Sequence, residues 1–237
     1  MAIAVDATSQ GEIASGTSLT VAHTCTGSNR ALYVAVTAFF SPPPTVTATY
    51  AGVAMTQKAS TLFGSGDAER ITLLELVAPA TGANNIVVTA SGTAEIVLAA
   101  LSLTGVDQTT PSGVGTTVAT DGVTSTSLVK VSETDDLVLD AVAWYNQTIT
   151  VGAGQTQQVL NNNGASMDSI AISTEPGAAS VTMSWSWAAS ENPGQCAINI
   201  NQAAADGASI TPTAGAAVLA GVAPTRVVGT VLTPVTP

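Results

Sequence analysis

The single histidine of this 237-residue chain, His23, stands two residues before Cys25 in "VAHTCTG". On an extended strand that spacing puts the imidazole and the thiol on one face. A thiol beside an imidazole is the raw material of nucleophilic catalysis, but the rest of the machinery is missing from the sequence. No G-x-S-x-G elbow, Cys-His-Asn context or glycine-rich oxyanion loop accompanies the pair. His23 is therefore expected as an ordinary polar or edge-facing side chain. Zinc needs three or four ligands, commonly in C-x-x-C or H-x3-H pairs, and His23 with Cys25 supplies two, with Cys196 a distant third. No metal site is expected. Cys25 and Cys196 either pair across the domain or stay as buried thiols; without an oxidising address the second outcome is expected.

Carboxylates fall into small groups: Asp67 with Glu69, Asp135 with Asp136, and the isolated Asp107, Asp121, Asp140 and Glu175. A glycosidase needs two carboxylates across a cleft, and a calcium loop needs D-x-[DN]-x-[DN]-G. Neither pattern is written here, so these acids are expected in solvated turns. Among the aromatic residues, Trp185 and Trp187 alternate with serines in "SVTMSWSWA" and share a face with Val181 and Met183, which assigns them to a core. Trp144 and Tyr145, followed by "NQT", are the candidates for exposure and for stacking on a sugar ring. The sequon at Asn146 reads as coincidence without an export signal, and "GVGTTV" lacks the third glycine and the helix that a nucleotide-binding fingerprint requires. No catalytic residue and no cofactor is expected.

The elements that hold these residues are strands. No window carries a helical apolar stripe, whereas two-residue alternation recurs in "TVTATY", "NNIVVTAS", "SIAIST" and "QCAININ". Gly, Pro, Asn, Asp and Ser clusters separate the runs, as a sandwich or barrel requires. "LYVAVTAFF" and "EIVLAALSL" are apolar on both faces and so are expected as central strands covered on each side. Three prolines at 42–44 cannot join a ladder and predict a stiff, projecting loop.

Only 9% of the residues are charged, and five basic residues face sixteen acidic ones, for a formal net charge of −11. That balance disfavours nucleic acid and anionic membrane as partners. The opening "MAIAVDATSQGEIAS" has no basic region and no continuous apolar stretch, so neither a secretory signal nor a spanning helix is expected there.

Several segments, in order over most of residues 17–201, resemble a jelly-roll module of bacteriophage virion structural proteins of the capsid-decoration and head-fibre type. They include "SNRALYVAVTAF", "VTATYAGVAMTQKAS", "LLELVAPATGANNIVVTAS", "AALSLTGVDQTTP", "DDLVLDAVAW", "GAGQTQQV" and "VTMSWSWAAS". The resemblance implies an all-β, antiparallel jelly-roll β-sandwich over 1–204 and more about architecture than about activity. Within it, Gly52 is expected to reverse the chain after Tyr50, and Asp107 to accept bonds from the following N–H groups before Pro111.

Beyond residue 204 the pattern thins, and 205–237 reads as an apolar, proline-punctuated C-terminal extended β arm. Val218, Leu219, Val222, Val227, Val228, Val231 and Leu232 would invite aggregation if left uncovered, so they are expected to pack on neighbouring subunits. The expected protein is a non-enzymatic virion structural component, assembled in the host cytoplasm as a homo-oligomer, with a trimer favoured by analogy and phage capsid or other virion proteins as partners. The alternative is a carbohydrate-binding module on a particle or cell surface, with Trp144 and Tyr145 as glycan contacts and a host glycan as partner.

Overall fold

The computed structural model describes residues 2–145, 147–163 and 167–204, and among them every regular element is a strand paired antiparallel. The chain divides into two units, Met1–Ala205 and Asp206–Pro237; the second, with the seven residues assigned to the arm, lies outside the described residues.

The strands of residues 1–104 are β1 (Ala4–Cys25), β2 (Ala31–Phe39), β3 (Val46–Tyr50), β4 (Val53–Ala54), β5 (Thr56–Phe63), β6 (Glu69–Val77) and β7 (Gly82–Thr104). β1 and β7 pair along their whole lengths, yet the ladder slips at Ile13, Gly16 and Ser18, where residues 90–93 of β7 are passed over. Bulges of this kind let a strand turn a corner from one sheet into another. On the far edge of β7, β3 pairs with residues 86–90 and β2 with residues 95–103. Ile86 and Val88 from before the corner share one apolar core with Ile96 and Leu98 from after it, together with Leu32, Val34 and Val36 of β2. The long ribbon therefore folds over itself and contributes to both layers of a sandwich.

Residues 116–200 repeat this plan. The strands are β8 (Thr116–Ala119), β9 (Val123–Lys130), β10 (Leu137–Tyr145), β11 (Ile149–Val151), β12 (Thr156–Asn161), β13 (Asp168–Pro176), β14 (Val181–Glu191) and β15 (Gly194–Ile200). The inner sheet, β12-β13-β10-β15-β8, matches β5-β6-β2-β7-β1 of the first half, and the outer sheet, β11-β14-β9, matches β3-β7-β1. Here the corners are breaks: Thr120, Asp121 and Gly122 separate β8 from β9, and Asn192 and Pro193 separate β14 from β15. Pro193 has no N–H to offer a ladder.

The all-β antiparallel sandwich expected from the alternation is thus realised twice. Where a single sandwich over 1–204 was expected, two halves of matching strand order stack on each other through their inner sheets. Tyr33, Leu73 and Leu101 of one half meet Leu139, Ile172 and Ile198 of the other in a shared core. This explains why β2 is buried on both faces: its odd residues enter the shared core and its even residues the core of its own sandwich. The tight β3–β4 reversal uses Ala51 and Gly52, both at positive φ, as a two-residue hairpin loop demands. Asp107 Oδ1 accepts the N–H groups of Thr109 and Thr110, each at 2.8 Å, as the sequence suggests.

Candidate functional site

β2 and β10 are the central strands of the two inner sheets, and both leave the protein at the same end. β2 is buried for its first eight residues and β10 from Val138 to Trp144, and each surfaces at its ninth, Phe39 and Tyr145, which are 44% and 47% exposed. Phe40, next along, is 52% exposed. The neighbouring strands begin or end at the same level, so the ladders fix what stands beside these rings. Phe39 pairs with Glu69 in β6 and with Glu95 in β7; Tyr145 pairs with Asp168 in β13. Phe39, Tyr145, Glu69, Glu95 and Asp168 line a cavity of about 310 Å³. An adjoining cavity of about 160 Å³ shares Glu69 and Tyr145 and adds Glu191. Beyond Phe40, a third of about 490 Å³ runs along Pro42, Pro43 and Pro44.

The polar geometry is tight. Glu95 Oε1 accepts the backbone N–H of Asp168 at 2.5 Å, the Thr37 hydroxyl donates to Asp168 Oδ2 at 3.2 Å, and Glu191 accepts the backbone N–H of Tyr145. Burial raises all four carboxyls above their ordinary range. Glu69, with Glu95 and Glu191 adding repulsion, is pushed up to about 7, and Asp168, repelled by Glu69 and Glu95, to about 8. A glycosidase-like pair needs one carboxyl kept protonated and another kept ionised. Here the environment moves all four carboxyls the same way.

The second half holds a buried carboxylate of another kind. Asp140 is fully buried in β10, where Trp185 Nε1 and Gln195 Nε2 donate to its Oδ2 at 2.6 and 2.7 Å and the Ser173 hydroxyl donates to its Oδ1. Burial still outweighs these bonds and raises it to about 6. This network sits between two apolar clusters, one holding Val181 and Met183 and the other Trp144, Trp185 and Trp187. No known protein family, curated protein or solved structure matches this chain.

Several residues singled out in the sequence stand elsewhere than expected. Trp144 is fully buried, with its Nε1 donating to Gln147 O at 2.8 Å, so it offers no face to a sugar; even-numbered residues of β10 point into the core of the second sandwich. Of the proposed glycan pair only Tyr145 reaches the surface. His23 is not edge-facing but 3% exposed, with Nδ1 at 2.9 Å from Ser9 Oγ, and its strand face turns inward with Leu19, Val21 and Cys25. Cys25 and Cys196 are free, buried thiols in different cores, and burial raises both above the ordinary thiol value, away from the nucleophilic form. Asp140 and Glu69 are not solvated turn residues. Glu69, Glu95, Asp168 and Glu191 were not legible as a group, since only strand pairing over long separations brings them together.

Proposed function

We propose that this chain is a non-enzymatic structural protein of a bacteriophage particle, decorating or cementing a capsid or forming a head fibre. The observation that carries this reading is how fully residues 2–204 build the two sandwiches. Among the described residues the buried members of the four apolar clusters run from Leu19 to Ile200 and fill the cores of both sandwiches. In this reading the apolar Val218, Leu219, Val222, Val227, Val228, Val231 and Leu232 bury themselves on neighbouring subunits, each covered Å² of apolar surface contributing about 25 cal/mol. The outward faces of the outer strands support the same role. They carry Thr20, Thr47, Thr89, Ser125, Ser127 and Thr182 and no charge, surfaces that can lie against another protein without stripping water from ions.

Deleting residues 205–237 tests the reading. The expected outcome is a folded double sandwich that sediments as a monomer and no longer attaches to particles. Undiminished attachment, with the oligomer intact, would remove it. The carbohydrate-binding alternative now rests on Tyr145 alone.

A further inference from the structure

We propose that the aromatic-walled cavity at the ends of β2 and β10 is a docking pocket for a lysine or arginine side chain of a partner protein. The first observation is where the exposed rings lie. Trp144, Trp185, Trp187, Tyr33, Tyr50 and Phe63 are buried, while Phe39, Phe40 and Tyr145 are exposed and stand at one end of the molecule, at the ends of the two central strands. A gathered aromatic surface of this kind marks an interaction site more often than scattered rings do.

The second observation is charge. Glu69, Glu95 and Asp168 line the cavity and Glu191 the adjoining one, and every described cation is committed elsewhere. Arg70, next to Glu69 in sequence, sends its Nε to Pro44 O at 3.1 Å; Lys58 pairs with Glu75 at 3.5 Å; Arg30 donates to Pro79 O at 3.0 Å; Lys130 donates to Val114 O. Arg226, the fifth basic residue, lies outside the described residues. Among the described residues the crowd of carboxyls is therefore uncompensated.

The third is fit. A cavity of about 310 Å³ admits one extended side chain. The stem of a lysine or arginine packs along rings, its head group sits over the ring faces of Phe39 and Tyr145, and its N–H groups reach carboxylate oxygens. A neutral sugar would use the rings but leave the carboxyl repulsion unrelieved. A cation also favours the ionised carboxyls, so its binding expels protons from Glu69 and Asp168 and strengthens as pH rises from 6 to 8. The groups facing the pocket that set this dependence are the carboxyls of Glu69, Glu95, Asp168 and Glu191.

The test titrates the intact protein with acetyl-Gly-Lys-Gly-amide, its arginine and norleucine counterparts, cellotetraose and calcium chloride. Ring resonances of Phe39 and Tyr145 are followed by NMR and proton release by calorimetry in two buffers. Saturable shifts are expected with the lysine and arginine peptides, tighter at pH 8 than at pH 6, with proton release and no response to norleucine. Tyr145→Ala is expected to weaken binding about five-fold or more, the scale of a partly desolvated cation–π contact. Glu69→Gln with Asp168→Asn is expected to abolish both the binding and the proton release, in a protein whose circular dichroism is unchanged. Equal shifts with norleucine, a response only to cellotetraose or calcium, or none at all would overturn the proposal. None of these probes involves residues 205–237, so failure here leaves the arm reading standing, and failure of the deletion experiment leaves this one.

Discussion

Asp140 occupies the fourth position of β10, where β2, its counterpart in the first half, has Val34. Both side chains face the core of their own sandwich, so at this position the halves differ by one carboxyl and the donors gathered round it. Replacing it with valine would strand Trp185 Nε1, Gln195 Nε2 and the Ser173 hydroxyl, at about 1–3 kcal/mol for each buried donor left unmade. Asp140→Val is therefore expected to lower stability by about 3 kcal/mol or more in urea unfolding. Asp140→Asn should behave differently, because its carbonyl accepts from Trp185 and Gln195 while its amide donates to Ser173. A folded-state value of about 6, above the unfolded 3.8, means the folded protein holds a proton that the unfolded chain releases between those limits. Stability is then fully present below pH 3.8 and falls as pH rises through 6, by roughly 3 kcal/mol. The asparagine variant should gain on the wild type between pH 5 and pH 8. Glu69 and Asp168, raised to about 7 and 8, act in the same direction. His23 opposes them, since burial lowers it and stability is lost as pH falls below 6.5. Burial raises Glu95 and Glu191 as well, so with these acids against one histidine the melting temperature is expected to be higher at pH 5 than at pH 8; the reverse order would show that these acids are not held as described.

Among the elements, the turn after β7 admits no side chain. Gly105 has φ +74°, and a Cβ there would stand 2.3 Å from Ala2 O, so both conformation and space exclude a side chain. Gly105→Ala is expected to cost about 2 kcal/mol or more, against about 1 kcal/mol for Gly52→Ala, where φ is +79° and the space is open. Denaturant midpoints of the two variants check that order. Such turns, and the strands between them, could be read from the sequence because each depends on a few adjacent residues. β14 shows this best: Val181, Met183, Trp185 and Trp187 alternate with Thr182, Ser184 and Ser186, and the first set is buried. The duplication could not be read that way. Its two copies keep the same alternation but exchange the side chains, Val34 for Asp140, Ala38 for Trp144 and Glu69 for Asp168, and the corner is a bulged ladder in one and a chain break in the other. The acidic pocket was hidden for the same reason, as its members lie on strands paired only in the fold.

For the whole molecule, the shared core decides how the halves respond to stress. Tyr33, Leu73, Leu101, Leu139, Ile172 and Ile198 bury one another across the stack, so neither half can lose its structure without exposing the other's inner sheet. A single unfolding transition is expected. Trp144, Trp185 and Trp187 all lie in the second half, and Cys25 lies in the core of the first, which gives each half its own reporter. Tryptophan fluorescence and labelling of Cys25 in a Cys196→Ala background should give coincident urea midpoints; separate midpoints would show that the halves are independent. The stacking has one more effect. Because the segment from Gly105 to Gly115 tethers the two inner sheets, each meets its mate at an effective concentration of about millimolar however dilute the solution. Their union is unimolecular, and a lone polypeptide leaving the ribosome already contains both sides of the embrace.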